Sequence, residues 1–150
     1  MQPPEGMDVS ATIAESNGPL AGDELLPRTA HQSTRAVTID APPAQAWRAL
    51  ESILHCGPIH PGDTIKAGPP GHPNWTVAAV EFARSIVLQA PGATWAFQLR
   101  PLDAGKGTRL VVRTRMPDDI RAVLIDTVEL AFERRMLLGL RERAERAELS

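Results

Sequence analysis

Three side chains able to bind a metal or attack an electrophile lie close together in the sequence: His55, Cys56 and His60. Imidazole and thiolate groups suit zinc, and Asp63 and His72 follow in the same stretch. The spacing lacks a second recognisable ligand pair, however, and the intervening prolines restrict which side chains can converge. We therefore keep His55, Cys56 and His60 as candidate ligands but expect a solvated loop with no metal. Cys56 as a nucleophile would need a neighbouring base, and adjacent side chains rarely point the same way.

Arginines form a second group that bears on chemistry: Arg109, Arg113 and Arg115, with Arg100 nearby. The first three share one face of an alternating segment, which is typical of the wet convex side of a sheet. In the alternative interpretation, Arg113 lies inside a pocket and holds a carboxylate or enolate oxygen. Glu81, which by alternation shares a face with Trp75, Val77 and Ala79, would then be its acid/base complement. Arg113 and Glu81 are the two candidate catalytic residues.

Composition excludes several other classes of protein. The chain has 150 residues, 43% of them hydrophobic and 23% charged, which fits a single globular domain. A net charge of −2 gives no general attraction to nucleic acid or to an anionic membrane. A single cysteine excludes an internal disulfide and favours a reducing compartment. With no apolar run long enough for a membrane span and no signal-peptide pattern, we expect a cytoplasmic protein without cofactors.

Alternating apolar and polar residues predict the strands that must position these groups. A first strand is expected from Thr34 to Asp40, then a helix from Ala44 to Leu54 and a proline-rich loop with a short edge strand. Short turns join the later strands, which indicates an antiparallel meander with one buried face. These strands are predicted at Trp75 to Phe82, Ser85 to Gln89, Thr94 to Arg100 and Thr108 to Met116.

A long terminal helix is predicted after Pro117, from about Asp119 to Ala147. Its first half carries apolar residues on an arc wider than the stripe of a surface helix, which indicates burial by a surface that curves around it. We expect the gripped part to end at Phe132 and residues from Met136 onward to be increasingly exposed. Residues 1–33 lack apolar periodicity and are predicted to be a flexible leader, so that the domain comprises residues 34–150.

Several short motifs carry a resemblance to a known superfamily. The segment from Thr34 to Pro43, followed by Ala46 and Trp47, resembles the opening of the SRPBCC (START-like, helix-grip) superfamily, and Trp95-Ala96-Phe97 resembles paired strands of its bacterial, polyketide-cyclase-like members. Phe132 to Leu137 is similar to their terminal helix. The resemblance covers roughly residues 22 to 147 and implies an α+β helix-grip fold, in which a curved antiparallel β-sheet wraps around a long C-terminal α-helix.

The resemblance also implies where a function would lie. The first hypothesis is binding of a small hydrophobic, lipid- or polyketide-like molecule between the sheet and the terminal helix. The alternatives are a cyclase or aromatase (cyclase/dehydratase-like) enzyme and a non-catalytic interaction module with a filled core. The loop from His55 to Asp63 is short for the superfamily, so the leader or a second protomer is a candidate cover for the cavity. The expected ligand-contacting residues are Trp75, Trp95, Phe97, Leu99, Leu110, Val112, Leu124, Val128 and Phe132.

Overall fold

A computed structural model describes residues 9–25, 31–66, 74–116 and 133–146. A short helix, α1 (Ile13–Asn17), precedes the first strand and the first long helix, which are β1 (His31–Ile39) and α2 (Pro43–His55). The remaining strands are β2 (Thr64–Ile65), β3 (Trp75–Glu81), β4 (Ser85–Ala90), β5 (Ala93–Leu102) and β6 (Gly107–Met116). Residues 133–146 are helical and are called α3.

The six strands form one antiparallel sheet in the order β1-β6-β5-β4-β3-β2. Strands β3 to β6 follow one another as a meander, because each pair is joined by a short turn. Strand β1 lies at the end of this order opposite β2. It pairs with β6 along its whole length, from His31 opposite Met116 to Ile39 opposite Thr108. The sheet is curved and the C-terminal helix packs on it, which confirms the predicted α+β helix-grip architecture.

The two faces of the sheet have different partners. The inner face, which carries Val37, Trp95, Phe97 and Leu110, joins α2 and α3 in the main core. The outer face has a smaller apolar cluster around Val111. Because side chains alternate between the faces of a strand, each strand contributes to both layers.

Helix α2 is positioned by its ends and its apolar face. Proline occupies its first position, where the missing N–H is not needed, and Cys56 ends it with φ of 59° while its N–H donates to the Ser52 carbonyl at 3.2 Å. Trp47 is 1% exposed on the core side of the helix. Its ring meets Phe82 edge-on with centroids 5.7 Å apart, which ties α2 to the turn between β3 and β4.

Helix α3 remains buried well past the point predicted from the sequence. Met136 is 8% exposed, whereas Leu137, Leu140 and Ala144 are fully buried. The expectation that exposure increases from Met136 onward was wrong, because these apolar residues keep helical spacing among many arginines and glutamates. Among the described residues, no helix combines the length and apolar character needed to cross a membrane.

Residues 9–25, called here the N-terminal strap, begin beside the edge of β1 and continue against the outer face. Leu20 is buried in the cluster with Val111, and the carbonyl of Val9 accepts a hydrogen bond from the N–H of Ala36 in β1 at 3.0 Å. Gly22 packs so closely that an added Cβ would lie 2.7 Å from Cγ1 of Val87. Most of the predicted leader that the structure describes is therefore in contact with the sheet, and its flexibility stays a prediction.

Candidate functional site

Aromatic side chains dominate one part of the inner face. The rings of Trp75 and Trp95 have centroids 5.5 Å apart, and those of Trp95 and Phe97 are 4.9 Å apart. Strand alternation explains the grouping, since Trp95, Phe97 and Leu99 leave β5 on the same side. Across the sheet, Val112 of β6 is the direct neighbour of Phe97.

Six of the predicted ligand-contacting residues lie together on this face, and all six belong to the main core: Trp75, Trp95, Phe97, Leu99, Leu110 and Val112. The other three, Leu124, Val128 and Phe132, lie outside the described residues. Contact of any of them with a ligand stays a prediction.

A buried ion pair lies on the same inner face. Arg35 has the alternation of Val37 and Ile39, so its side chain enters the core side of β1, where it pairs with Glu133 of α3. Only 10% of the Arg35 side chain and 5% of the Glu133 side chain are exposed. Trp95 Nε1 donates a second hydrogen bond to Glu133, with an N–O distance of 3.3 Å.

The pair is unusual for a core whose only task is packing. Removing two charges from water carries a desolvation penalty that their attraction often fails to offset, and apolar residues of similar volume are frequently as stable or more so. Arg35 also has five N–H donors. Within the described part of the chain its one side-chain hydrogen-bond partner is Glu133. The remaining donors are suited to a carboxylate or carbonyl oxygen of a bound molecule.

Sequence reasoning missed both members of the pair. The available signal was the alternation of Arg35 with Val37 and Ile39, which places the arginine on the apolar side of its strand. Glu133 is a charged residue, which a sequence pattern places on the polar side of a helix. Its partner is 98 residues away in the chain, and no local pattern reveals that contact.

Glu81, a predicted catalytic residue, lies away from this group. The expectation that it shares a face with Trp75 and Val77 was wrong, because a β-bulge between Val77 and Ala79 shifts the alternation by one residue. Val80 consequently packs against the core, and the Glu81 side chain is 66% exposed beside Arg84. This geometry gives no support for a catalytic role.

Arg113, the other predicted catalytic residue, is on the outer face but is only 1% exposed. The N-terminal strap covers it: its guanidinium donates to Asp23 Oδ2 at 2.7 Å and to the carbonyl oxygens of Glu15 and Ser16 at 2.9 and 3.1 Å. It also donates to Thr34 Oγ1 at 3.0 Å. The convex face is therefore not wet at this position, and Arg113 does not reach the inner face.

A second arginine holds the strap in the same way. Arg109 donates from Nε and from Nη2 to the two carboxylate oxygens of Glu15, each at 2.9 Å. These hydrogen bonds lower the pKa of Glu15 from 4.5 to about 2, against the opposing effect of burial. Glu15 also completes a capping box with Thr12, which fixes the short helix α1.

Two of the three candidate metal ligands lie near Asp63. Nε2 of His55 and Nδ1 of His60 are each 3.7 Å from Oδ2 of Asp63, whereas Cys56 is exposed. Across the described ranges, no group of three or more His, Cys, Asp or Glu residues is arranged to hold a metal ion. His72 lies outside those ranges.

The fold and its inner-face site define the class of architecture: an α+β helix-grip protein with a buried polar group under the terminal helix. Sequence comparisons do not assign the chain to a family, since no family model and no curated protein matches it.

Solved structures resemble the chain at the level of fold. The Aha1 dimer from Colwellia psychrerythraea, determined in solution, is 18% identical with a TM-score of 0.59, and the match covers 77% of this chain and 96% of that one. A protein from Mesorhizobium loti is also 18% identical, with a TM-score of 0.58 and coverage of 77% and 98%. One from Bacillus halodurans is 16% identical, with a TM-score of 0.59 and coverage of 78% and 99%. At these identities the likeness shows the fold alone.

Proposed function

We propose that this chain binds a small, largely apolar molecule between the inner face of the sheet and the terminal helix, with a polar group of that molecule held by Arg35. The observation that carries the proposal is the ion pair of Arg35 and Glu133, buried in an otherwise apolar core. In a filled core, apolar residues of similar volume are often at least as stabilising as such a pair, whereas a binding site needs a few placed polar groups on an apolar wall.

The aromatic residues support the apolar part of the site. Trp75, Trp95 and Phe97 form a continuous aromatic surface beside the ion pair. Trp95 belongs to this surface and also contacts the ion pair, because its indole N–H donates to Glu133. A planar or extended hydrocarbon is the natural complement of such a surface. Lipid-like and polyketide-like molecules with one carbonyl or carboxylate group combine these features.

The superfamily and the assembly belong to the same proposal. The fold and the motifs from Thr34 to Trp47 support membership of the SRPBCC superfamily. One structure with this fold is a dimer of Aha1, and we propose that a second copy of the chain covers the mouth beside the short loop between α2 and β2. Sedimentation velocity over a hundredfold concentration range tests the dimer separately from ligand binding.

Co-purification tests the binding function directly. Native mass spectrometry of the purified chain should show an adduct that is released on unfolding, and solvent extraction should recover an apolar molecule with one oxygen-containing polar group. Arg35→Met combined with Glu133→Leu keeps the core apolar and should lose the adduct. A protein that carries no adduct and shows no thermal shift with a panel of fatty acids and aromatic polyketides would contradict the proposal.

An enzyme of the cyclase type is the second candidate. Its support is that Glu133 accepts hydrogen bonds from Arg35 and from Trp95, so that an acid/base group and a guanidinium meet on the inner face. Such a pair is suited to moving a proton and stabilising an enolate oxygen. Glu133→Gln keeps the shape and removes the base: it should abolish turnover of a polyketide substrate while binding is retained, whereas a pure binding protein shows no turnover in either form.

A further inference from the structure

A groove lies between α2 and α3, apart from the inner-face aromatic residues. Among the described residues its lining is Ile53 of α2 and Gly139, Arg143 and Arg146 of α3, and its volume is about 490 Å³. Small-molecule sites have volumes of roughly 300 to 1,000 Å³, so the groove is of that size. The three α3 residues are spaced i, i+4 and i+7 and therefore form one stripe along the helix.

Gly139 is an unexpected residue for this position. It lies within a regular helix, where glycine is less stable than alanine because its backbone loses more freedom on folding. Close packing with the described residues does not require it: a Cβ built on Gly139 would meet none of them within 4 Å, whereas one on Gly22 would collide with Val87. The effect of the missing side chain is to keep the groove open.

The groove is basic on one side and apolar on the other. Arg143 donates to Ser52 Oγ at 2.5 Å, and in the described chain no carboxylate pairs with it. Arg146 pairs with Glu142 on the exposed side of the helix. Guanidinium groups bind carboxylate, sulfate and phosphate oxygens with charge-assisted hydrogen bonds, and Ile53 offers an apolar wall beside them.

We propose that this groove is a second binding site, for a small amphiphilic anion. The apolar part of the ligand lies over Gly139 against Ile53, and its anionic group is bound by Arg143 and Arg146. The site is distinct from the proposed inner-face site, because its three α3 residues are exposed and none of its lining residues contacts Arg35 or Glu133 in the described part of the chain.

An NMR titration of the full chain with octanoate tests the site. Backbone amides around Ile53 and Gly139 should shift and saturate. Octanoate that also binds at the inner face is seen separately, as a shift of the indole N–H signal of Trp95. Octan-1-ol and octyltrimethylammonium are the matched neutral and cationic probes. Octanoate should bind at least tenfold more tightly than octanol, since charge-assisted hydrogen bonds distinguish the two, and the cation should give no saturable shift.

Variants of α3 make the test specific. Gly139→Leu places a side chain in the groove without breaking the helix and should abolish octanoate binding. Arg143→Gln with Arg146→Gln should weaken it at least tenfold. Arg141→Gln, which removes the same charge from another face of the helix, should leave the affinity within twofold.

Three results would overturn the proposal. They are equal affinities for octanoate and octanol, unchanged octanoate binding in both the Gly139→Leu and the double arginine variants, and concentration-dependent shifts of the same amides without any probe. The last result would show that a second copy of the chain occupies the groove. Because the Trp95 signal reports the inner face, failure of either site is visible separately from the other.

Discussion

Replacing Glu133 with leucine while Arg35 is kept should destabilise the protein by about 3 to 5 kcal/mol, because an uncompensated charge is then buried. The Arg35 side chain is only 10% exposed and cannot easily regain water. Trp95 loses the acceptor of its 3.3 Å hydrogen bond as well, which adds about 1 kcal/mol. Since a domain of this size is stable by only about 5 to 15 kcal/mol, the single variant should be close to unfolding at 37 °C.

The double variant Arg35→Met with Glu133→Leu should behave differently. Both charges are gone and the volume is nearly kept, so its free energy of unfolding should lie within about 1 kcal/mol of the original protein or above it. The original protein, the two single variants and the double variant form a double-mutant cycle, whose free energies of unfolding are measured by urea titration with Trp fluorescence. The coupling energy between the two positions should be at least about 2 kcal/mol. Two results would show instead that the ion pair is needed for stability. They are additive effects of the two single variants and a double variant as unstable as the Glu133→Leu protein. A stable double variant that no longer binds the co-purifying molecule assigns the pair to function.

Three further outcomes follow from other parts of the structure. Phe97 is fully buried. If it only fills the core, Phe97→Ala should lower the free energy of unfolding by about 3 to 5 kcal/mol in urea titrations. A loss near zero, with altered ligand uptake, would indicate that Phe97 lines a cavity. Because the pKa of Glu15 is lowered to about 2 from 4.5, its ionised form stabilises the strap above pH 4.5 and this contribution is lost as the pH falls towards 2. After allowance for solvent screening, we expect this contribution to the free energy of unfolding to be roughly 1 kcal/mol. It is measured as the difference in the pH dependence of unfolding between the original protein and the Glu15→Gln variant. The same pH dependence in both proteins would contradict the assignment. Gly139→Ala should stabilise the fold by about 0.5 to 1 kcal/mol in thermal unfolding, and a loss of stability would show that something packs against the glycine.

The strands could be predicted from the sequence because their alternation is local. Thr94 to Arg100 was predicted for a strand that spans Ala93–Leu102, and Thr108 to Met116 for one that spans Gly107–Met116. Trp95, Phe97 and Leu99 alternate along the first of these strands, so the same rule predicts a common face for them, and the structure has them in one core. Local pattern is sufficient wherever a strand is regular.

Contacts between distant segments could not be predicted in this way. One extra residue in β3 reversed the face assigned to Glu81, because bulges depend on how a strand pairs and not on its own composition. The sequence predicted a flexible leader because nothing local indicates the contacts of the strap. Glu15 and Asp23 bind arginines that lie more than 85 residues later in the chain. Charged residues of this kind are indistinguishable from solvated ones until the partner is known.

The pairing of β1 with β6 has a consequence for how the chain folds. The strand partner of residues 31–39 is residues 108–116, so the sheet is completed by contacts between segments far apart in the chain. Such long-range pairing is slow, because the entropy of closing a large loop is lost before the contacts form. During synthesis, β1 and the strap must therefore wait until β6 has left the ribosome. In that interval the unpaired edge of β1, with its apolar Val37 and Ile39, is exposed to aggregation and to chaperones.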